Sequence, residues 1–334
     1  MRRLTKLFFV SFILLVSFSI SGCAKKTNSN KDEIRIGILN TPNDVAVARN
    51  KGYFEEAFPN QKVSFITFDS GVDANKALMS GGVDFATMGD TNGVVALTAY
   101  IPVKLLWINE MCGSNESLIV KKNSGIKNIA DLKGKKIATP FASTSHYSLM
   151  IALKKAGLEH KVTLLDMDTQ NIVAAWKRGN IDAAYTWQPT LSQLQSDGRV
   201  LIDSSDLSKM GYSTGNITLV SKKFLKEQPE SVEKFVNVLA KTHKLRKDNY
   251  PETVKAAAKQ TGISTADADK QMRGTDWVSK KAEYSTRYLG NESDTGQFIV
   301  EMHRAGTFMH SQQTISYAPS LDQFKKFVYQ PKGD

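Results

Sequence analysis

A ten-residue pattern occurs twice in this chain, and it limits the folds available more than any other feature. Ala77-Leu78-Met79-Ser80-Gly81-Gly82-Val83-Asp84-Phe85-Ala86 is matched by Ala175-Trp176-Lys177-Arg178-Gly179-Asn180-Ile181-Asp182-Ala183-Ala184. Each copy reads as the end of a helix, a Gly at the left-handed position that stops it, and then a strand. Asp84 and Asp182 are read as turn residues, not ligand contacts. The larger setting is also shared. A strand, turn and helix come first, from Ile34 and from Lys135, and a second strand follows at Val63 to Phe68 and at Val162 to Leu165. Strands alternating with helices predict βαβ units and a mainly parallel sheet, so the fold class is α/β. A chain of 334 residues exceeds what one hydrophobic core ordinarily serves, which predicts two lobes.

Ligands of such sheets sit beyond the carboxyl ends of the strands. Those ends are Leu39-Asn40-Thr41 and Met88-Gly89-Asp90-Thr91 in the first lobe, and Phe141 to His146 and Thr186-Trp187-Gln188-Pro189 in the second. Facing lobes would form one cleft there. The stretch from Thr139 to Leu153 is the most informative part of it. A β-type run enters a hydroxyl-rich turn, and Leu149, Ala152, Leu153 and Ala156 then follow at helical spacing. Ser143, Thr144 and Ser145 are N-cap candidates, so hydroxyls and free N–H groups are expected to meet at the positive end of a helix dipole. That chemistry suits an anion. A capped helix that binds nothing is the alternative.

Outside this repeat, Ser117 to Lys122 and Ile217 to Lys223 resemble each other and bracket the second copy. They are read as extended crossovers, with residues 117–121 and 217–220 as a two-strand hinge. Residues 34–116 plus 221–330 then form lobe 1, and residues 122–216 form lobe 2. Helix openings at Gln228-Pro229-Glu230 and Asn249-Tyr250-Pro251-Glu252 return the chain to lobe 1. Trp277 and Tyr284 are expected in packed core.

Residues 1–23 read as a secretion signal, with Arg2, Arg3 and Lys6 before an apolar run from Leu7 to Ile20. Ile20-Ser21-Gly22-Cys23 resembles a bacterial lipobox, which makes Cys23 the expected lipidated residue and the outer face of the cell membrane the expected location. Residues 24–33 are polar, as a tether should be. The 44 basic and 33 acidic side chains are spread along the chain with no basic–aromatic run, so nucleic acid is not an expected partner. After Cys23 only Cys112 remains. An internal disulfide framework and a multi-cysteine metal site are therefore excluded. No cofactor is implied.

Three blocks carry a family resemblance. They are Pro140 to Leu149, Ala174 to Trp187, and Phe68-Asp69-Ser70-Gly71 with Ala77-Leu78-Met79-Ser80-Gly81. On them the chain resembles the taurine- and alkanesulfonate-binding receptors of ABC importers, within the nitrate, sulfonate and thiamine-precursor binding superfamily. The resemblance implies the class II periplasmic-binding-protein fold. It also implies a small anionic ligand such as taurine or another sulfonate, permease and ATPase partners, and a monomer. Trp187 would wall the pocket, and the Ser143-Thr144-Ser145-His146 turn would meet the sulfonate. Glu116 matches a family carboxylate suited to an ammonium. Asn216 stands where taurine receptors carry Asp, and Asp90 where they carry a small hydroxyl residue. Asp90 compensating for the lost acid is one reading; a different ligand, such as a plain or aromatic sulfonate, is the other. Asn40 and Thr91 complete the candidate cleft residues. The alternatives in other classes are a receptor for thiamine-precursor-like or other organic anions, a sensory receptor, and a same-fold pyrimidine-precursor enzyme. The enzyme is disfavoured, since its cysteine cluster is missing and no Ser-His-Asp or metal spacing is present.

Overall fold

The computed structural model describes residues 33–330 except residue 292. The leader, Cys23 and the tether up to residue 32 lie outside the described residues. Eleven strands are present in chain order: β1 (Glu33–Leu39), β2 (Lys62–Phe68), β3 (Phe85–Gly89), β4 (Val103–Cys112), β5 (Glu116–Lys121), β6 (Lys136–Thr139), β7 (Thr163–Asp166), β8 (Ala183–Trp187), β9 (Gly198–Asp203), β10 (Gly215–Ser221) and β11 (Thr275–Asp276). They form two sheets, ordered β11-β4-β10-β3-β1-β2 and β7-β6-β8-β5-β9. In the first, β1 runs parallel to β2 and β3, and β10 is antiparallel to β3 and β4. In the second, β6 runs parallel to β7 and β8, and β5 is antiparallel to β8 and β9. The two sheets thus share one topology, as the repeat predicts.

The repeat copies fold alike. Helices Gly71–Ser80 and Thr169–Arg178 end on Gly81 and Gly179, at φ 71° and 73°, where a side chain would be strained. Each then leads into β3 or β8. Asp84 and Asp182 have equivalent work in these turns. The Asp84 carboxylate accepts the Arg35 N–H at 2.9 Å, and that of Asp182 accepts the Lys136 N–H at 2.8 Å. Each pins the start of its sheet's first parallel strand. Asp84 also takes the Arg35 guanidinium at 2.6 Å.

The predicted hinge strands need correction. Residues 117–121 lie in β5, paired on both sides within the second sheet, and residues 217–220 lie in β10, paired on both sides within the first. Extended apolar sequence at these places reflects burial between two neighbours, not a free crossover. The chain passes between sheets at Gly113 to Asn115 and again between the Ser204–Lys209 helix and Gly215. The two passages touch: the Cys112 N–H donates to the Thr214 carbonyl at 2.9 Å. Glu33, assigned to the tether, is the first residue of β1.

Each sheet has its own packed core. Ile34, Ile36, Phe85, Trp107 and Phe235 cluster on one side of the first sheet, and Met88, Val94, Leu219, Phe298 and Phe324 on the other. Tyr284 packs against this second cluster and donates to the Leu106 carbonyl, and Trp277 packs beside Met272, so neither reaches the cleft. Helices Pro229–Asp248 and Tyr250–Thr261 start with Pro in their first turn and pack with the first sheet's half, as predicted. The second sheet is covered by Leu118, Ile137, Leu149, Leu153 and Tyr185 on one side and Ile119, Ile172, Trp176 and Leu191 on the other.

Asp84→Ala should lower stability by about 2–3 kcal/mol, because a hydrogen-bonded charge is removed and the Arg35 N–H loses its acceptor. Asp182→Ala should cost less, since that carboxylate holds a backbone N–H without a guanidinium. Urea unfolding midpoints of the two variants would check this order.

Candidate functional site

A cleft of about 290 Å³ opens between the two sheets. Its floor lies where the chain first crosses from one to the other: Glu110, Asn115, Glu116 and Asn216 line it. Leu39, Phe68, Val72, Phe141 and Trp187 form apolar walls nearer the mouth. The helices starting at Gly71, Thr144 and Thr169 all direct first-turn residues into it. The N–H groups of Gly71, Val72, Thr144 and Ser145 have no acceptor among the described residues. Positive helix ends with free donors are an anion site in physical terms.

The predicted residues divide into two sets. Asn40, Glu116, Ser143, Thr144, Trp187 and Asn216 line the cleft. Asp90, Thr91, Ser145 and His146 do not. Asp90 and Ser145 are buried, and neither the Asp90 Oδ1 nor the Ser145 Oγ has a partner among the described residues. His146 and Thr91 border a small crevice on the far side of the Ala142 backbone. The His146 ring stacks on Phe141 with centroids 4.3 Å apart, and burial lowers its pKa to about 4. It is a neutral packing group. An amphipathic helix buries most of its first turn in the core, so four consecutive polar residues cannot all face one ligand.

The hydroxyl cradle is corrected as well. The Ser143 hydroxyl donates to the Pro140 carbonyl at 2.5 Å and accepts the His146 N–H at 3.1 Å. Thr144 donates its hydroxyl to Glu116. Both are committed inside the protein. What this turn offers an anion is backbone N–H, not side-chain O–H.

Glu110 was not foreseen. It lies in Val103–Cys112, which reads as a plain buried strand. Pairing of β4 with β10 steps from Glu110 opposite Asn216 to Ile108 opposite Ile217, so Asn109 is an extra residue. A bulge of this kind re-aims side chains. Trp107 and Asn109 both reach Asp44, at 3.0 and 2.8 Å, while Glu110 turns to Asn216, whose amide donates to it at 2.7 Å. The one available signal was an acid within an apolar strand. The acid opposite Asn216 on the ladder is Glu110, and Asp90 does not line the cleft.

Burial dominates the electrostatics. It raises the Glu110 pKa, against the Asn216 hydrogen bond. It raises Glu116 to about 7, although the Thr144 and Ser204 hydroxyls both donate to it, Ser204 at 3.1 Å. Asp90 is pushed well above the usual carboxylate range, again by burial. Among the described residues no Lys, Arg or His lines the cleft, so nothing in it neutralises Glu110 and Glu116. Cys112 is buried with its thiol pKa raised by burial, which leaves it an unreactive packing group.

Fold and site together define a two-lobed α/β solute-binding protein. The chain belongs to the NMT1/THI5 like family, whose model matches residues 43–252. It is 33% identical over 249 residues to the taurine-binding periplasmic protein of Escherichia coli K12, covering 72% of this chain and 77% of that one. Among solved structures it is similar to the periplasmic aliphatic sulphonate binding protein SsuA of E. coli, with TM-score 0.72, 22% identity, and 90% of this chain and 93% of that chain covered. The alkanesulfonate-binding protein SsuA of Xanthomonas axonopodis pv. citri, bound to MOPS, gives TM-score 0.73 at 21% identity, covering 90% and 98%. These two likenesses establish the class II periplasmic-binding-protein fold.

A carboxyl whose pKa is higher folded than unfolded binds extra protons in the native state. Its contribution therefore falls as pH rises, here between about 4.5 and about 7. The loss is on the order of 3 kcal/mol. Glu116→Gln should flatten this slope and be more stable than the wild type at pH 8. Melting temperatures of both proteins across pH 4.5–8 would check it.

Proposed function

We propose that the chain is the extracytoplasmic receptor of an ABC importer and that its ligand is taurine or a similarly short ω-aminosulfonate. The observation that carries this is the charge balance of the cleft: two buried carboxyls at the floor, free helix N–H groups nearer the mouth, and no cationic side chain among the described lining residues. A plain sulfonate would add a further negative charge to a space already lined by Asp69, Glu110 and Glu116. A zwitterion has a group for each end, with the ammonium at Glu110 and Glu116 and the sulfonate at the Gly71 and Thr144 helices. Charge-assisted hydrogen bonds contribute roughly 1.5–3 kcal/mol each. Lost ligand freedom and closure oppose them, so they do not sum to an affinity. The 33% identical relative is named for taurine, which agrees with this choice.

Leu39, Phe68, Val72, Phe141 and Trp187 would surround the carbon spacer, and Asn40 the mouth. The two sheet-centred halves would be the moving lobes, hinged at Gly113 to Asn115 and just before Gly215. A ligand held from both halves favours the closed form, which the permease would read. An attached lipid on Cys23 would keep this monomeric receptor at the membrane surface. A receptor is favoured over an enzyme because the 33% identical relative is named as a binding protein.

Because an ammonium needs ionised Glu116, taurine should bind about tenfold tighter at pH 8 than at pH 6. Ethanesulfonate should show the opposite trend, and Glu110→Gln should weaken taurine at least tenfold while improving ethanesulfonate. Isothermal titration at both pH values decides this. Parallel pH trends for the two ligands would refute the ammonium assignment. At ~100 times its dissociation constant, taurine should also add about 2.7 kcal/mol of stability, and a thermal-shift screen showing no response to any sulfonate would end the reading.

A further inference from the structure

We infer that Asn92 and the Ala142 carbonyl form the latch that sets how readily the two halves close, and that Asn92, although it lines the cleft, spends its amide on this bond and not on the ligand. Asn92 is the third residue of the Asp90–Thr98 helix in the first half, and it is 4% exposed. Its Nδ2 donates to the Ala142 carbonyl, in the second half, at 2.9 Å. The Thr91 hydroxyl approaches the same oxygen at 3.5 Å. One carbonyl therefore receives two donors from the opposite half, and the pair forms the wall between the cleft and the His146 crevice.

Both partners are built for this contact. Ala142 has φ 56°, in the left-handed region that a residue with a Cβ rarely enters. It is held there between the Phe141 N–H, bonded to Asp166 at 2.9 Å, and the Ser143 cap. On the other side, the Asn92 carbonyl accepts the Asn75 amide at 2.8 Å, which fixes the start of its helix. The Asn92 side-chain oxygen occupies the space left by Gly71, where a Cβ would lie 2.2 Å from it. A Cβ on Gly89 would lie 2.8 Å from the Thr144 methyl, so the two helix starts are already in contact. The contacts of Asn92 and Thr91 with the Ala142 carbonyl, and of Gly89 with Thr144, would not survive separation of the halves. Other polar contacts between the halves, such as Lys270 Nζ to Gln195 Oε1 at 2.6 Å and the Arg304 guanidinium to the Gly211 carbonyl at 2.5 Å, are exposed, where water competes for both groups.

A contact made only in the closed form changes the closed-to-open ratio by its own net strength. Ligand affinity scales with the fraction of molecules able to close. Losing one buried hydrogen bond should therefore weaken every ligand by the same factor, roughly three- to tenfold. A residue that touched the ligand would instead change the ranking among ligands.

The test uses the full chain with fluorophores at Met79→Cys and Lys177→Cys, one exposed position in each half, and no ligand. Asn92→Ala and Asn92→Leu, the latter keeping the size but lacking the donor, should both shift the interlobe distance toward open forms. Ala142→Val, which attacks the acceptor's left-handed backbone, should shift it the same way. Titration with taurine, homotaurine and ethanesulfonate should then show one common loss factor for each variant, with faster release. Unchanged distances and affinities in all three variants would overturn the latch, and so would loss factors that differ among ligands. The titration arm rests on the aminosulfonate reading and the distance arm does not. Failure of every sulfonate to bind would remove that reading, while the distances would still decide the latch.

Discussion

The structure depends on two carboxyls kept away from water with no cationic side chain among the described residues that line their cleft, the attraction of Arg246 on Glu110 coming from outside that lining. Glu110 and Glu116 flank the passage between the sheets, where one strand ends and the next begins. Burying an unpaired charge is costly, and the molecule meets this cost in part by retaining protons. It also supplies hydrogen-bond donors, Asn216 to Glu110 and the Thr144 and Ser204 hydroxyls to Glu116. These donors favour the ionised form without supplying positive charge. The lining therefore presents excess negative charge that a cationic group would offset. Stability has been exchanged for readiness to bind, a common arrangement at functional sites.

The floor is firm because the first sheet has a polar brace beneath it. Asp44 accepts hydrogen bonds from Trp107, Asn109 and His243, and Asn109 accepts one from Thr218. Both His243 ring nitrogens face acceptor oxygens, Asp44 at one and the Val278 carbonyl at the other. A fully satisfied buried network holds its members in one geometry. Here it holds the bulged stretch of β4 that points Glu110 into the cleft.

Much of this architecture could be read before any coordinates. The repeat carried the helix–Gly–strand unit of each half and the equivalent placing of Asp84 and Asp182, because a left-handed Gly and a turn Asp are local requirements. The strand ends located the cleft, since that rule follows from parallel topology alone. What failed was facing. Whether Ser145 or Ser143 meets the cleft depends on the rotation of a helix about its axis, and a run of four polar residues does not set that rotation. Glu110 was hidden by a bulge, whose extra residue appears only when β4 is paired with β10. Residues 117–121 and 217–220 looked like connectors because interior strands and extended linkers have similar apolar sequence. Their sheet partners, distant in the chain, are what distinguish the two.

The site also explains why one small molecule can report on both halves. Glu110 belongs to the first sheet and Glu116 to the second, so a single ammonium at the floor, as proposed, would bond both sides of the passage at once. Nearer the mouth, the helix at Gly71 belongs to the first half and the helix at Thr144 to the second. An anion placed between them is likewise shared. A ligand lacking either charge would bridge the halves at one end only and leave the other free to open. On the proposed reading, the distance between its charges would matter to closure as well as its total charge. Rigid elements at both ends would make that dependence sharp, because neither the braced floor nor the first turn of a packed helix can follow a ligand of the wrong length.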